Sequence, residues 1–198
     1  MPRRDLELCA GEWYHLYNRR GNRERIFYER ANYLFFLQRL RRYLVPVLDV
    51  VAYCLMPTHY HLLVRVTKTS EVSETSEVSA VSRAMQRFSI SYTKAMNRRY
   101  DRAGSLFQGA FRAKHVSRND YLVHLSRYIH LNPVIAGLVE RPEDWEFSSH
   151  REYIGLRSGT LPKAELILSQ FSSQQSYQEF VEAYAPGERE IIADLLFD

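Results

Sequence analysis

At 198 residues, 45% apolar and 13% aromatic, the chain is long enough to bury a core and too hydrophobic for wholesale disorder. It has no run of about 18 uncharged apolar residues, and the opening "MPRRDLELCAGEW" lacks the apolar centre of a signal peptide, so no membrane span is expected. The net charge of +4 conceals an asymmetry: residues 1–139 carry 22 Lys+Arg against 11 Asp+Glu, whereas residues 140–198 carry 5 against 12. A basic body of this kind suits a polyanionic partner as well as it suits a solvated surface. Cys9 and Cys54 make neither a disulfide framework nor a four-thiolate zinc site, and a reducing cytoplasmic setting is expected.

In chain order, the aromatic alternation of "EWYHLYNRR" predicts a first strand ending near Asn18 to Gly21. "ERANYLFFLQRLRRYLV" has helical apolar spacing with arginines on the other face. "VLDVVAYCLM" and "HYHLLVRV" read as two strands joined at Met56-Pro57-Thr58. "TKTSEVSETSEVSAVS" is a short Ser/Glu repeat, read as a loop or helix lead-in. "SRAMQRFSISYTKAMNRRY" is an amphipathic helix, with Ala84, Phe88, Tyr92 and Ala95 on one face. "GSLFQGAFRAKHV" predicts a turn and then a strand. "SRNDYLVHLSRYIHLN" predicts a helix that ends at Asn132, because Pro133 disfavours helical geometry before it. Two short helices follow, at "KAELILSQF" and "SYQEFVEAYA". Interspersed strands and helices up to about residue 150 give an α+β unit.

Two constellations carry chemistry. His59 and His61 are i and i+2 on a strand, so both imidazoles project from one face with Tyr60 on the other. Such a pair suits one divalent metal, or it is two histidines on a solvated face. On the last long helix Tyr128 and Asn132 are i and i+4 and share a face with His124, while His130 is turned roughly 200° away. A tyrosine flanked by an amide and an imidazole is either a nucleophile near a metal or a packed core residue whose hydroxyl has found a partner. Spacing does not decide between these readings.

"YCLMPTHYHLLV", "GSLFQGAFRAKHV" and "RYIHLNPVIAGLV", with "EDWEFSSHREYIG" further on, together resemble the REP-associated tyrosine transposases. These are HUH single-strand nucleases related to the smallest insertion-sequence transposases. The likeness spans roughly residues 11–155. It implies an antiparallel sheet flanked by helices, a ferredoxin-like or RRM-like core, as the nuclease domain over 1–155, with 156–198 as an acidic helical C-terminal extension. It implies that His59 and His61 bind the metal, Mg²⁺ or Mn²⁺, and that Tyr128 is the catalytic tyrosine. Asn132 falls where relatives place a third metal ligand, often Gln, and its shorter side chain departs from that pattern. His124 is not carried over.

The implied function is a metal-dependent single-stranded DNA endonuclease and strand transferase. It would recognise hairpin-forming REP-like repeats and cleave through a 5′-phosphotyrosine intermediate, as a monomer, with a homodimer as the alternative. The rival readings are a non-cleaving hairpin-binding regulator that keeps the fold, and a zinc-stabilised protein unrelated to DNA. Independently of the resemblance, residues 83–118 hold nine Lys+Arg against one acidic residue, with aromatics interleaved. Arg83, Arg87, Arg98, Arg99, Arg102, Arg112 and Lys114 are the expected DNA-binding residues. The acidic tail is expected either to fold back near a basic groove and compete with substrate, or to pack as a small extension elsewhere on the core.

Overall fold

The computed structural model describes residues 8–67, 80–117 and 119–184, with Gly187, Glu190, Ile191 and Ala193 beyond them. The Ser/Glu repeat therefore falls almost wholly outside the described residues. Strand β1 (Trp13–Arg19) leads to helix α1 (Arg30–Tyr43), then to the hairpin β2 (Leu48–Met56) and β3 (His59–Val66). Helix α2 (Ala80–Arg99), strand β4 (Arg112–His115) and helix α3 (Asn119–Ile135) follow. The sheet order is β2-β3-β1-β4 with every pairing antiparallel. This is the split βαβ topology of ferredoxin-like domains, with α3 added.

Both faces of the sheet are covered, which explains why β2 and β3 read as near-continuous apolar runs. On one face Tyr14, Leu16, Tyr60, Leu62 and Val64 pack against α1 and α2. Phe36 of α1 is central there, its ring 4.8–5.1 Å from those of Phe27, Tyr60, Phe88 and Tyr92. On the other face Ala52, Cys54, Met56 and Leu63 pack against α3 residues Leu125, Tyr128 and Ile129. A register shift between Val50 and Ala52 changes the parity of β2, so that Val50 and Tyr53 both face the α1/α2 side. Cys54 is buried and Cys9 exposed, and both are free thiols.

Helix α3 runs past the proline expected to stop it: Pro133 lies inside, and the helix ends at Ile135. The actual terminator is Gly137, at φ 66°. Leu138 N–H donates to Pro133 O and Gly137 N–H to Val134 O, each at 2.9 Å. These are the two bonds of a Schellman cap, which needs a left-handed residue at that position. Asn132 Nδ2 donates to Tyr128 O at 2.8 Å, supplying a side-chain donor to a backbone acceptor one turn before the proline.

The C-terminal part packs onto α3. Single-turn helices α4 (His150–Tyr153) and α5 (Glu165–Leu168) and helix α6 (Gln174–Glu182) place Tyr153, Ile167, Tyr177 and Val181 in the α3 cluster. Leu55 N–H donates to Phe147 O and Ser149 N–H to Tyr53 O, so the segment before α4 covers the outer edge of β2. His130, fully buried, has Nδ1 2.8 Å from Tyr177 Oη and Nε2 2.7 Å from Ser149 Oγ. His150 lies beside it, with ring centroids 5.3 Å apart.

Burial depresses both of these pKa values, that of His150 to about 4 from an ordinary 6.5 and that of His130 well below 6.5, with the neighbouring imidazole adding to the latter. Both are therefore neutral in the fold at pH 7. As the pH falls below 6.5 the unfolded chain takes up protons that the folded chain refuses, so stability is lost on acidification. The slope reaches about 1.4 kcal/mol per pH unit per histidine. Urea unfolding at pH 7.5 and pH 5 is expected to show a clear drop in midpoint at the lower pH. Equal midpoints would contradict the buried neutral assignment.

Candidate active site

The β2–β3 hairpin sets the site. Pro57 O accepts from Ile26 N–H and Phe27 N–H at 2.8 and 3.2 Å, fixing the turn against the chain that leaves β1. His59 opens β3 and His61 follows two residues later, so both project to the α3 side. Tyr60 is fully buried on the opposite side against Phe36. The two imidazoles are 5.0 Å apart between centroids and nearly perpendicular, at 88°. Tyr128 comes from α3 to meet His61 edge-on, 5.9 Å between centroids and 82° between planes. The structure thus brings His59, His61 and Tyr128 together on one face of the sheet.

Each histidine is held at Nδ1. His59 Nδ1 lies 2.9 Å from Thr58 Oγ1, and His61 Nδ1 lies 2.9 Å from His15 Nε2. Nε2, on the far side of each ring, is the nitrogen not used in these two contacts. Desolvation by burial, with the positive charge of Arg19 adding to it, lowers the His59 pKa to about 4. Burial drives His61 well below 6.5, with His59 and His15 contributing. Both are neutral at pH 7, the form in which imidazole binds metal. Two neutral imidazoles with outer partners on Nδ1 match the donor chemistry of a metal site that leaves positions open to substrate.

Asn132 is 8% exposed and its amide nitrogen donates to Tyr128 O within α3, a bond that does not use Oδ1, the atom a metal would take. Among the described residues, no group of three or more His, Cys, Asp or Glu side chains could hold a metal. His124 points elsewhere on α3: its Nδ1 lies 3.0 Å from Arg127 Nη2 and its ring faces Phe180 of α6.

The seven expected DNA-binding residues divide between the two sides of the sheet. Arg83, Arg87, Arg98 and Arg99 are exposed on α2, which covers the face opposite the histidines. Arg99 is engaged there, its Nε donating to Glu29 Oε1 at 2.6 Å. Arg102, half-buried, sits in the loop after α2. Arg112 and Lys114 of β4 pair with Tyr17 and His15 of β1, and cross-strand partners share a face, so these two lie on the histidine side.

Sequence reasoning missed His15, Tyr17 and Arg19. His15 is fully buried and stacks on His61 at 5.1 Å and 22°. Tyr17 is 3% exposed, with its ring 6.3 Å from that of His61. Arg19 is paired with His59 across the β1–β3 ladder. The alternation in "WYHLYNR" places the three on one face, but only the long-range register of β1 against β3 puts that face beside the histidine pair.

No family model matches the chain. A Haemophilus influenzae protein carrying the name of a REP-associated tyrosine transposase is 30% identical over 109 residues, which is 52% of this chain. The match covers 60% of that relative's length. A solved structure of a REP-associated tyrosine transposase bound to a REP hairpin superposes with a TM-score of 0.57 at 17% identity, over 82% of this chain and 98% of that one. In sequence to the first and in fold to the second, the chain is similar to the REP-associated tyrosine transposases.

Proposed function

We propose that this protein is a DNA nuclease and strand transferase that cuts single-stranded DNA beside hairpin repeats through a covalent bond to Tyr128. The observation that carries the reading is Tyr128, whose ring α3 delivers 5.9 Å, centroid to centroid, from that of His61 in a neutral His-x-His pair, His61 buried and His59 half-buried. The relative's name and the hairpin-bound neighbour support the substrate class.

In this reading His59 and His61 would hold Mg²⁺ or Mn²⁺ through Nε2, and Asn132 would join them through its amide oxygen, the atom not used in its bond to the Tyr128 carbonyl. Such an ion supplies positive charge to the scissile phosphate. The Tyr128 oxygen attacks phosphorus, the bond to the 3′ oxygen breaks, and a 5′-phosphotyrosine forms. The proton lost by the phenol is balanced by the one gained on the released 3′-hydroxyl. A 3′-hydroxyl from a second strand reverses the step, so the energy of the phosphodiester is conserved without ATP. The test is a labelled hairpin oligonucleotide with a single-stranded flank, incubated with Mg²⁺ or Mn²⁺. A covalent adduct on a denaturing gel is the expected result, and its absence with either ion across a panel of hairpins from the source genome would refute cleavage.

A second reading, a hairpin-binding regulator without cleavage, has one observation in its favour: Asn132 stands where the resemblance places a third ligand, often Gln, and its side chain is one methylene shorter. The same gel separates the two, because the regulator binds and leaves the strand intact.

His15 is a positioning residue in this scheme. Only the tautomer in which His61 Nδ1–H donates to His15 Nε2 leaves the lone pair of His61 Nε2 for an ion. His15→Phe keeps a ring in the stack and removes that acceptor. Mn²⁺ affinity is expected to fall about 10–100-fold, while oligonucleotide affinity in EDTA stays the same. Unchanged Mn²⁺ affinity would reduce His15 to packing.

A further inference from the structure

We propose that the loop in "GSLFQGAFR" and the end of β1 form a seat for a second phosphodiester of the bound strand, neighbouring the one placed at His59 and His61. This deepens the nucleic-acid reading above and rests on it.

The loop has no regular secondary structure, yet it is firmly built. Leu106, Phe107 and Phe111 are buried beneath it. Gln108 N–H donates to Arg19 O at 2.9 Å, Arg19 Nε returns a bond to Gln108 Oε1 at 3.0 Å, and Asn18 Nδ2 donates to Gly109 O at 3.2 Å. Gly109 holds φ at 141°, a conformation that side-chain-bearing residues rarely adopt, so the loop path depends on glycine there.

Between this loop and β1 lies a cavity of about 80 Å³, lined by Tyr17, Asn18, Arg19, Gln108, Ala110 and Arg112. It exceeds several-fold the roughly 10–15 Å³ of such space that a single water requires. Two guanidinium groups and two side-chain amides line it, and no carboxylate does. Arg112 is exposed and makes no ion pair among the described residues. A lining with two guanidinium groups and no carboxylate is matched chemically by an oxyanion with several acceptor atoms, and a phosphodiester has two non-bridging ones.

The cavity's place in the sheet ties it to the same strand of DNA. Arg19 is the ladder partner of His59, and Tyr17 is the partner of both His61 and Arg112. Neighbouring strands lie about 4.8 Å apart, so the cavity is only one or two strand spacings from the imidazoles. Arg19 is close enough for its charge to act on His59. The α2 arginines, on the opposite face of the sheet, have no such relation to the histidine pair.

Equilibrium binding in EDTA tests this without relying on cleavage. The probe is a hairpin oligonucleotide with a single-stranded flank, made as a set in which one phosphodiester at a time is a neutral methylphosphonate. Arg112→Gln is expected to weaken binding of the unmodified probe about tenfold and to flatten the slope of log affinity against log salt by about 0.7. One methylphosphonate is expected to cost the wild-type protein a similar factor and to cost Arg112→Gln nothing further. Lys163→Gln, a charge change remote from the cavity, is expected to leave the slope unchanged.

Equal affinity and slope for Arg112→Gln and wild type, or identical methylphosphonate penalties at every position, would overturn the seat. If the seat fails this way while wild type forms its Tyr128 adduct, the nuclease reading stands alone. If the Arg112 effects appear without any adduct, the seat stands and cleavage falls. If no probe binds, both fall.

Discussion

Tyr128→Phe is expected to abolish the protein–DNA adduct while leaving affinity for the oligonucleotide in EDTA unchanged. The substitution keeps the ring, which is 7% exposed and packed between α3 and the sheet, and removes only the hydroxyl oxygen. No other atom of that side chain can attack phosphorus, so the loss should be complete and not a fractional slowing. Tyr17 makes the test informative. Its ring is 6.3 Å from His61 against 5.9 Å for Tyr128, a difference too small to choose a nucleophile. Tyr128 is preferred because it sits on the helix opposite the pair, whereas Tyr17 shares the sheet surface with it and lies tilted against His15, 4.9 Å between centroids. Tyr17→Phe should therefore retain the adduct. An adduct that survives Tyr128→Phe and vanishes with Tyr17→Phe would transfer the role to Tyr17.

The readable parts of the site were those set by short-range periodicity. Two histidines two apart on an apolar strand must share a face, and the Pro-Thr turn before them marks the hairpin, so His59 and His61 could be placed from local pattern alone. The end of α3 was misread for an equally local reason. Pro133 disfavours a helix before it, yet α3 continues through it to Ile135, and the cap is made by Gly137. His15, Tyr17 and Arg19 were hidden because their importance depends on which strand pairs with β3, and that choice is non-local. The basic segment misled in the same way. Charge along α2 and charge along β4 look alike in sequence, but among the described residues the sheet between them puts Arg112 and Lys114 on the histidine side and the α2 arginines on the other.

Removing everything after Gly155 is expected to abolish cooperative folding, so that no gain in DNA affinity can be read from it. An acidic tail acting as a detachable brake would leave the truncated protein folded and binding more tightly at low salt. The structure instead gives residues 156–184 a share of the core on which α3 depends. Ile167, Tyr177 and Val181 are fully buried in the α3 cluster. Each such loss costs about 2–5 kcal/mol in a core, against a total stability of about 5–15 kcal/mol. The polar account points the same way. Tyr177 Oη serves both His130 and Ser126, and Arg127, 2% exposed, lies 4.0 Å over the Phe180 ring and donates to Phe180 O. Truncation would strip these partners from three buried groups, Ser126, Arg127 and His130, on the helix that carries Tyr128. Tyr177→Phe isolates the effect without unfolding the chain: it keeps the ring and removes the shared hydroxyl. A lower urea midpoint with unchanged oligonucleotide affinity is expected. A truncated protein that unfolds cooperatively, at the wild-type midpoint, and binds DNA more tightly would restore the tail as a brake.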